Sequence, residues 1–171
     1  MTKLKLFLAN PFGFSIFVLR LILNKGELKF KKKLLRTRYS IHPSVGVHLE
    51  TAIYGLGKIT IGENTYFGKN TFVVSNPANA HIMFGKNCRI SHGCQFRTED
   101  NDPTTLKLDK PIKNYSNIEI GNNCWIGANV FVRGGVKLGN NVTVGANSVV
   151  LSSFPSDVII GGVPAKILKA I

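Results

Sequence analysis

With 171 residues, 44% of them apolar, the chain has the length of one domain and an ordinary capacity to build a core. Its net charge of +13 raises nucleic acids and anionic membranes as partners, but the charge is unevenly placed. Residues 1–38 hold ten of the 22 basic side chains and Glu27 as their only acid, with no base-reading motif or stacking aromatics in the basic run, so nucleic acid is not expected.

The N-terminal segment begins as an apolar helix. Asn10 followed by Pro11 reads as a cap and first turn. The apolar run Phe12 to Leu23 is interrupted by Gly13, Ser15 and Arg20, which makes it too short and too broken to span a bilayer. No small-residue cleavage site follows it, so a signal peptide is not expected. The basic stretch LKFKKKLLRTR comes next, and two readings stay open. In one, the helix lies in a membrane surface against anionic headgroups; in the other, it packs on a neighbouring subunit with a solvated basic face.

From about Ile41 the sequence acquires a six-residue period. Ile61, Phe67 and Val73 lead one block of units, and Phe84, Ile90 and Phe96 a second. Ile61, Phe67, Phe84 and Ile90 are followed at the third position by a residue that tolerates positive φ: Asn64, Asn70, Asn87 and Gly93. The register breaks between Val73 and Phe84, and again over residues 97–117, where RTEDNDPTTLKLDKPIKNYSN leaves the pattern. That insertion is polar, holds two prolines and is long for a structureless connection, as functional loops are.

The period then runs without a slip from Ile120 to Pro155. Ile120, Ile126, Val132, Leu138, Val144 and Val150 lead the units; Asn123, Asn129, Gly135, Asn141, Asn147 and Ser153 take the corners. A second inward position, four residues after each leader, holds Cys124, Val130, Val136, Val142, Ser148 and Phe154. Short strands separated by positive-φ corners at this period describe a coil of parallel β-structure with three units per turn. Cys88, Cys94 and Cys124 all fall in the second inward file, which reads as small buried thiols in a reducing, cytoplasmic setting. The chain closes with SDVIIGGVPAKILKAI, in which Pro164 opens an expected short helix over 164–171.

IGNNCWIGANV, together with the interrupting loop and the closing GGVPAKIL, resembles the hexapeptide-repeat acetyltransferases. The likeness covers roughly residues 41 to 171. It is closest to the branch holding maltose and galactoside O-acetyltransferases and the sugar O-acetyltransferases of surface polysaccharides. The resemblance implies an all-β fold, a left-handed parallel β-helix over residues 39–163, with the N-terminal helical segment 1–38, the loop 97–117 and the C-terminal helix as additions. It also implies a homotrimer with active sites between subunits, acetyl-CoA as donor, a sugar hydroxyl as acceptor and no metal.

Carried over residue by residue, Trp125, Gly127 and Ala128 would line a groove for the pantetheine arm, Ala146 would offer backbone to it, and Lys166 would meet the CoA phosphates. Coil corners need small residues in any case, so the glycine and alanine positions have a purely structural reading as well. The family's loop histidine is missing, and Asp102 stands in its place within RTEDNDPTT. An ordinary aspartate titrates near 3.9, about three units below neutrality, which makes it a weak base. His92, in ISHGC, is the alternative base; it resembles the histidine of xxHDC segments in more distant acyltransferases of this fold. An oriented base would need His92 beside a carboxylate such as Asp100 or Asp102. His81, His42 and His48 are weaker candidates. The expected function is therefore acetyl transfer from acetyl-CoA to a sugar in surface polysaccharide or lipopolysaccharide assembly. A catalytically silent trimer, or transfer to an amino sugar or serine, stands as the alternative.

Overall fold

The computed structural model describes the backbone from Pro11 to Ile171 and side chains from Leu23 onward; the expected Asn10 cap and the apolar side chains of 12–22 lie outside the described residues. Helix α1 (Pro11–Arg38) leads into a triangular coil of parallel β-structure. The first face stacks Ser40–Ile41, Lys58–Ile61, His81–Phe84, Ile118–Ile120 and Lys137–Leu138. The second stacks Gly46–Val47, Tyr66–Phe67, Arg89–Ile90, Trp125–Ile126, Thr143–Val144 and Val158–Gly162. The third stacks Ala52–Tyr54, Phe72–Val74, Gln95–Arg97, Phe131–Arg133 and Val149–Val150. All these neighbours pair in parallel and in register.

The corners explain why the period folds this way. Asn64, Asn70, Asn87, Asn123, Asn129, Asn141 and Asn147 have φ between 54° and 59°, and Gly93 and Gly135 are at 73° and 93°. Asparagine tolerates this region because its short amide can hydrogen-bond locally. Here the amides bond instead to their equivalents one turn away: Asn87 donates to Asn123, Asn123 to Asn141, and Asn129 to Asn147, at 3.1 to 3.2 Å. The ladder ends on Asp157, which accepts from Asn141 at 2.7 Å and itself has positive φ. Ser153, the last expected corner, lacks positive φ; its hydroxyl accepts from the Lys137 amide.

Inside, each six-residue unit buries its leading side chain and the one four places on. Phe67, Phe84 and Phe96 occupy the wider coils and meet edge to face, with centroids 4.9 Å apart. The second inward file would leave hydroxyls and thiols stranded, but the threonines and cysteines donate to carbonyls of the adjoining turn, and Ser148 to the Gly145 carbonyl within its own. Thr65 donates to Gly85, Cys88 to Gly121 and Cys124 to Gly139; Thr71 donates to Ser91 and Cys94 to Gly127. The cysteines are free and buried, as expected. Burial pushes the Cys94 thiol up to about 11, and the Cys124 thiol is raised by its bond with Cys88 and by burial.

The N-terminal end of the coil is covered by a helix, and at the other end the edge of the second face is covered by a strand. At the N-terminal end α1 turns Leu28, Lys31 and Leu35 toward the first turn, a 3–4 spacing that keeps them on one helix face, and Tyr39 follows just past the helix end. Lys31 donates to the carbonyls of Leu49 and Thr51, Arg38 to Leu56 at 3.0 Å, and Tyr39 to Gly55 at 2.9 Å. At the other end the expected C-terminal helix is replaced by a strand. Ala165–Ala170 reverses at Pro164 and pairs antiparallel with Val158–Gly162. The open edge of the second face offers hydrogen-bond partners along its whole length, and a helix of eight residues is marginal without comparable support.

The insertion 97–117 is also more ordered than a loop. Glu99–Asn101 and Lys113–Tyr115 form an antiparallel ribbon, braced by a Lys113–Glu99 ion pair at 2.5 Å, and a 3-10 turn at Pro103–Thr105 leads to an apolar tip of exposed Leu106, Leu108 and Ile112. Thirty-six residues separate Asn87 from Asn123, against eighteen between Asn123 and Asn141, so the arm is inserted without disturbing the stacking on either side.

Phe84 contacts both other rings of the aromatic stack, so Phe84→Ala is expected to cost about 3–5 kcal/mol of stability. Denaturant unfolding of the two proteins measures it.

Candidate functional site

The corner between the second and third faces gathers most of the residues singled out in the sequence. Successive turns place His92, Ala128 and Ala146 at equivalent positions there: the Asn129 amide donates to the His92 carbonyl and the Asn147 amide to that of Ala128. Gly127 lies directly beneath Ala146. A Cβ at Gly127 would approach the Ala146 nitrogen to 2.6 Å, so this glycine is demanded by the coil itself. Trp125, 58% exposed, stands on the second face beside this corner.

A comparison of two corners shows what is special here. Between the first and second faces, the equivalent column is Lys86, Asn122, Asn140 and Ser156, and each amide is capped by the next side chain. Lys86 N–H donates to Asn122 Oδ1 at 2.9 Å, Asn122 N–H to Asn140 Oδ1 at 2.8 Å, and Asn140 N–H to Ser156 Oγ at 2.9 Å. In the His92 column the capping positions are alanines. Among the described residues no side-chain oxygen caps the amides of His92 and Ala128. A row of backbone donors is thus left facing outward along one edge, which suits an extended ligand carrying carbonyl groups or a developing oxyanion. The sequence signal for this was present in the contrast of Asn122 and Asn140 with Ala128 and Ala146.

Lys166 lies on the final strand opposite Gly161, at the end of the second face and exposed. The register also aligns Trp125 with Thr143, Thr143 with Ile159, and Ile159 with Lys169. Lys169, read from sequence only as part of a helix end, therefore falls in the same row as Trp125.

Asp102 is elsewhere. Within one chain the ribbon arm leaves the far edge of the third face, and the strand Gln95–Arg97 separates it from the His92 corner. The expected pairing of His92 with Asp100 or Asp102 is not made within the chain, because side chains at opposite edges of one face cannot meet. Asp102 instead caps the 3-10 turn, accepting from the Thr104 hydroxyl at 2.7 Å and the Thr104 amide at 2.9 Å. These two bonds hold its carboxyl below the usual aspartate range, which weakens it further as a base. His81 bonds Thr60 at 3.0 Å on the first face, and His42 bonds Ser44 beside the first turn.

A second site was not foreseen from the sequence. A cleft of about 190 Å³ opens where the arm joins the coil, lined by Thr98, Asp100, Asn101, Asn114, Ser116 and Arg133. Its walls are mainly polar, unlike the apolar linings of drug-like pockets.

A prismatic coil with six-residue units, one uncapped corner and a projecting arm defines a hexapeptide-repeat protein. The family model for the bacterial transferase hexapeptide (six repeats) matches residues 117–152. Over 91 residues the chain is 46% identical to Protein CapG of Staphylococcus aureus, covering 53% of each. It is 34% identical over 119 residues to galactoside O-acetyltransferase of Escherichia coli K12, covering 69% of this chain and 56% of that protein. The chain therefore spans a little over half the length of these curated relatives. Among solved structures, a hexapeptide-repeat acetyltransferase from Vibrio cholerae complexed with acetyl coenzyme A superposes with a TM-score of 0.66 at 26% identity, covering 92% of this chain and 91% of that one. The chain carries the bacterial transferase hexapeptide repeat and is similar to these acetyltransferases, and its fold is the left-handed parallel β-helix.

The depressed Asp102 pKa has a defined consequence for pH. A carboxyl held below its unfolded value contributes order above that value and loses it as pH falls through the folded one. The Thr104 amide resonance is expected to stay constant from neutrality to about pH 5 and to move only below about pH 4 in a proton NMR titration.

Proposed function

We propose that the protein is an acetyl-CoA-dependent O-acetyltransferase acting on a sugar hydroxyl in surface polysaccharide or lipopolysaccharide assembly. The observation that carries this reading is the uncapped corner, where His92 stands one turn from Ala128 and two from Ala146, with the amides of His92 and Ala128 left uncapped. The pantetheine arm of the donor would run along Gly127, Ala128 and Ala146 beside Trp125, with Lys166 and Lys169 placed to meet its phosphates. The protein would work as a homotrimer, in which the arm of one copy reaches the His92 corner of the next; this supplies the encounter that one chain alone does not make.

In this mechanism His92 is the general base. Its imidazole takes the proton of the acceptor hydroxyl as that oxygen attacks the thioester carbonyl. Backbone amides of the corner row hold the tetrahedral oxyanion. Collapse expels the thiolate, His92 returns the proton to it, and the acetyl ester and CoA thiol leave. Asp102 shapes the arm that presents the acceptor.

Transfer from acetyl-CoA to a panel of glycans tests the reading. His92→Ala is expected to lower kcat by about 10²- to 10⁴-fold. Asp102→Ala is expected to leave most of kcat and alter KM. Absence of transfer to any acceptor, with acetyl-CoA unbound, is the result that sinks it.

We also infer that α1 brings the protein to an anionic membrane surface, where lipid-linked acceptors are assembled. Among the described residues no helix is long and apolar enough to cross a membrane. The outer face of α1 exposes Leu23, Phe30 and Leu34, flanked by Lys25, Lys29 and Lys33, which is the pattern of a helix lying at a lipid interface. Phe30→Glu with Leu34→Glu is expected to abolish co-sedimentation with vesicles containing phosphatidylglycerol while leaving acetyl-CoA binding intact.

A further inference from the structure

The outward row at the end of the third face runs Tyr54, Val74, Arg97, Arg133, because Tyr54 pairs with Val74, Val74 with Arg97, and Arg97 with Arg133. The flanking Phe96 and Val132 are buried, so both arginines face outward, on neighbouring strands about 4.8 Å apart. Among the described residues neither guanidinium makes an ion pair or hydrogen bond; the nearby Glu99 is taken by Lys113. Like charges facing each other across adjacent strands oppose folding, so this pair has no structural benefit of its own.

Arg133 also forms one wall of the polar cleft at the root of the arm. The remaining lining offers donors and acceptors of the kind that read hydroxyls: Asn101, Asn114, Ser116, Thr98 and the carboxylate of Asp100. At about 190 Å³ the cleft is smaller than pockets for drug-sized ligands and suits a single monosaccharide unit. Within the lining Arg133 balances the Asp100 carboxylate, and Arg97, its neighbour on the adjacent strand, adds a further positive charge beside the cleft.

We propose that this cleft is the acceptor subsite and that Arg97 and Arg133 make it selective for a sugar bearing an anionic group, either a carboxylate or a phosphate. A guanidinium presents paired N–H donors that match the two oxygens of either group, and two stacked guanidiniums hold one anion between them. Asp100, Asn101 and Asn114 then fix the hydroxyls of the same ring. This deepens the acetyltransferase reading and rests on it: the arm offers an acidic acceptor, and the His92 corner of a neighbouring copy supplies the base. Arg97 and Arg133 are specificity residues, remote from the acetyl group.

The test uses the full chain and measures binding without turnover. Isothermal titration with methyl glucuronide, glucose 1-phosphate and methyl glucoside, all at low salt, compares carboxylate, phosphate and neutral forms of one ring. The expected result is at least tenfold tighter binding of one or both anionic sugars, weakened by salt. Whichever anion binds better identifies the source of the charge. Arg97→Gln and Arg133→Gln, singly and together, are expected to bring the anionic sugars to the affinity of the neutral one without lowering the melting temperature. Equal affinity for all three sugars in the wild type, or a preference that survives the double variant, overturns the proposal. Acetyl-CoA binding on the same samples reads the acetyltransferase assignment separately: its loss would refute that assignment while the sugar preference stood or fell on its own titration.

Discussion

Everything in this molecule follows from stacking turns in register. Once a residue sits directly over its equivalent eighteen places away, every strand is paired, every side chain meets its own kind, and the rod has only two open ends. The condition for this is a sharp corner at fixed intervals, and the asparagines at φ near 57° supply it. Their amides then bond along the rod, so the residue chosen to make the bend also joins one turn to the next. The interior obeys the same rule. Threonine and cysteine recur where a small donor can reach the carbonyl of the adjoining turn, and three phenylalanines fill the coils that need more volume.

Function enters through an omission in this regular scheme. Two corners share the same backbone geometry, yet one is closed by Asn122, Asn140 and Ser156, and the other is left open by Ala128 and Ala146. Removing a cap from the surface costs little because water replaces it, and the freed amides become available to a ligand. The base candidate, the free donors and the small side chains then lie on one edge without any loop having to bring them together. The arm departs from another edge, and its own ion pair and capped turn hold its shape.

Much of this was legible in the residue order. The period located the faces, the interior files and nine of the corners, because a six-residue phase leaves no freedom once each position has a distinct chemical demand. The thiols at Cys88, Cys94 and Cys124 were placed inside by phase alone. The reading lost its footing where the period stops. Ala165 to Ala170 has helix-compatible composition, but the exposed strand edge beside it decides its conformation. Glu99–Asn101 and Lys113–Tyr115 pair across a dozen residues with no hairpin doublet between them, so nothing local announces the ribbon. An oriented base would need His92 beside Asp100 or Asp102, but a three-residue strand lies between them and sends the two sides to different edges of the third face. The Arg97 and Arg133 pair was invisible for the opposite reason: thirty-six residues separate them, and only the strand register makes them neighbours.

The arm springs from one particular storey of the rod, and each storey adds about 4.8 Å of height. Adding or deleting a whole eighteen-residue storey above it would leave every contact within the remaining storeys intact while changing the vertical offset between the arm and the terminal lysines. The reach from acceptor to donor tail is therefore set in discrete increments, and the architecture behaves as a ruler whose graduations are the turns themselves.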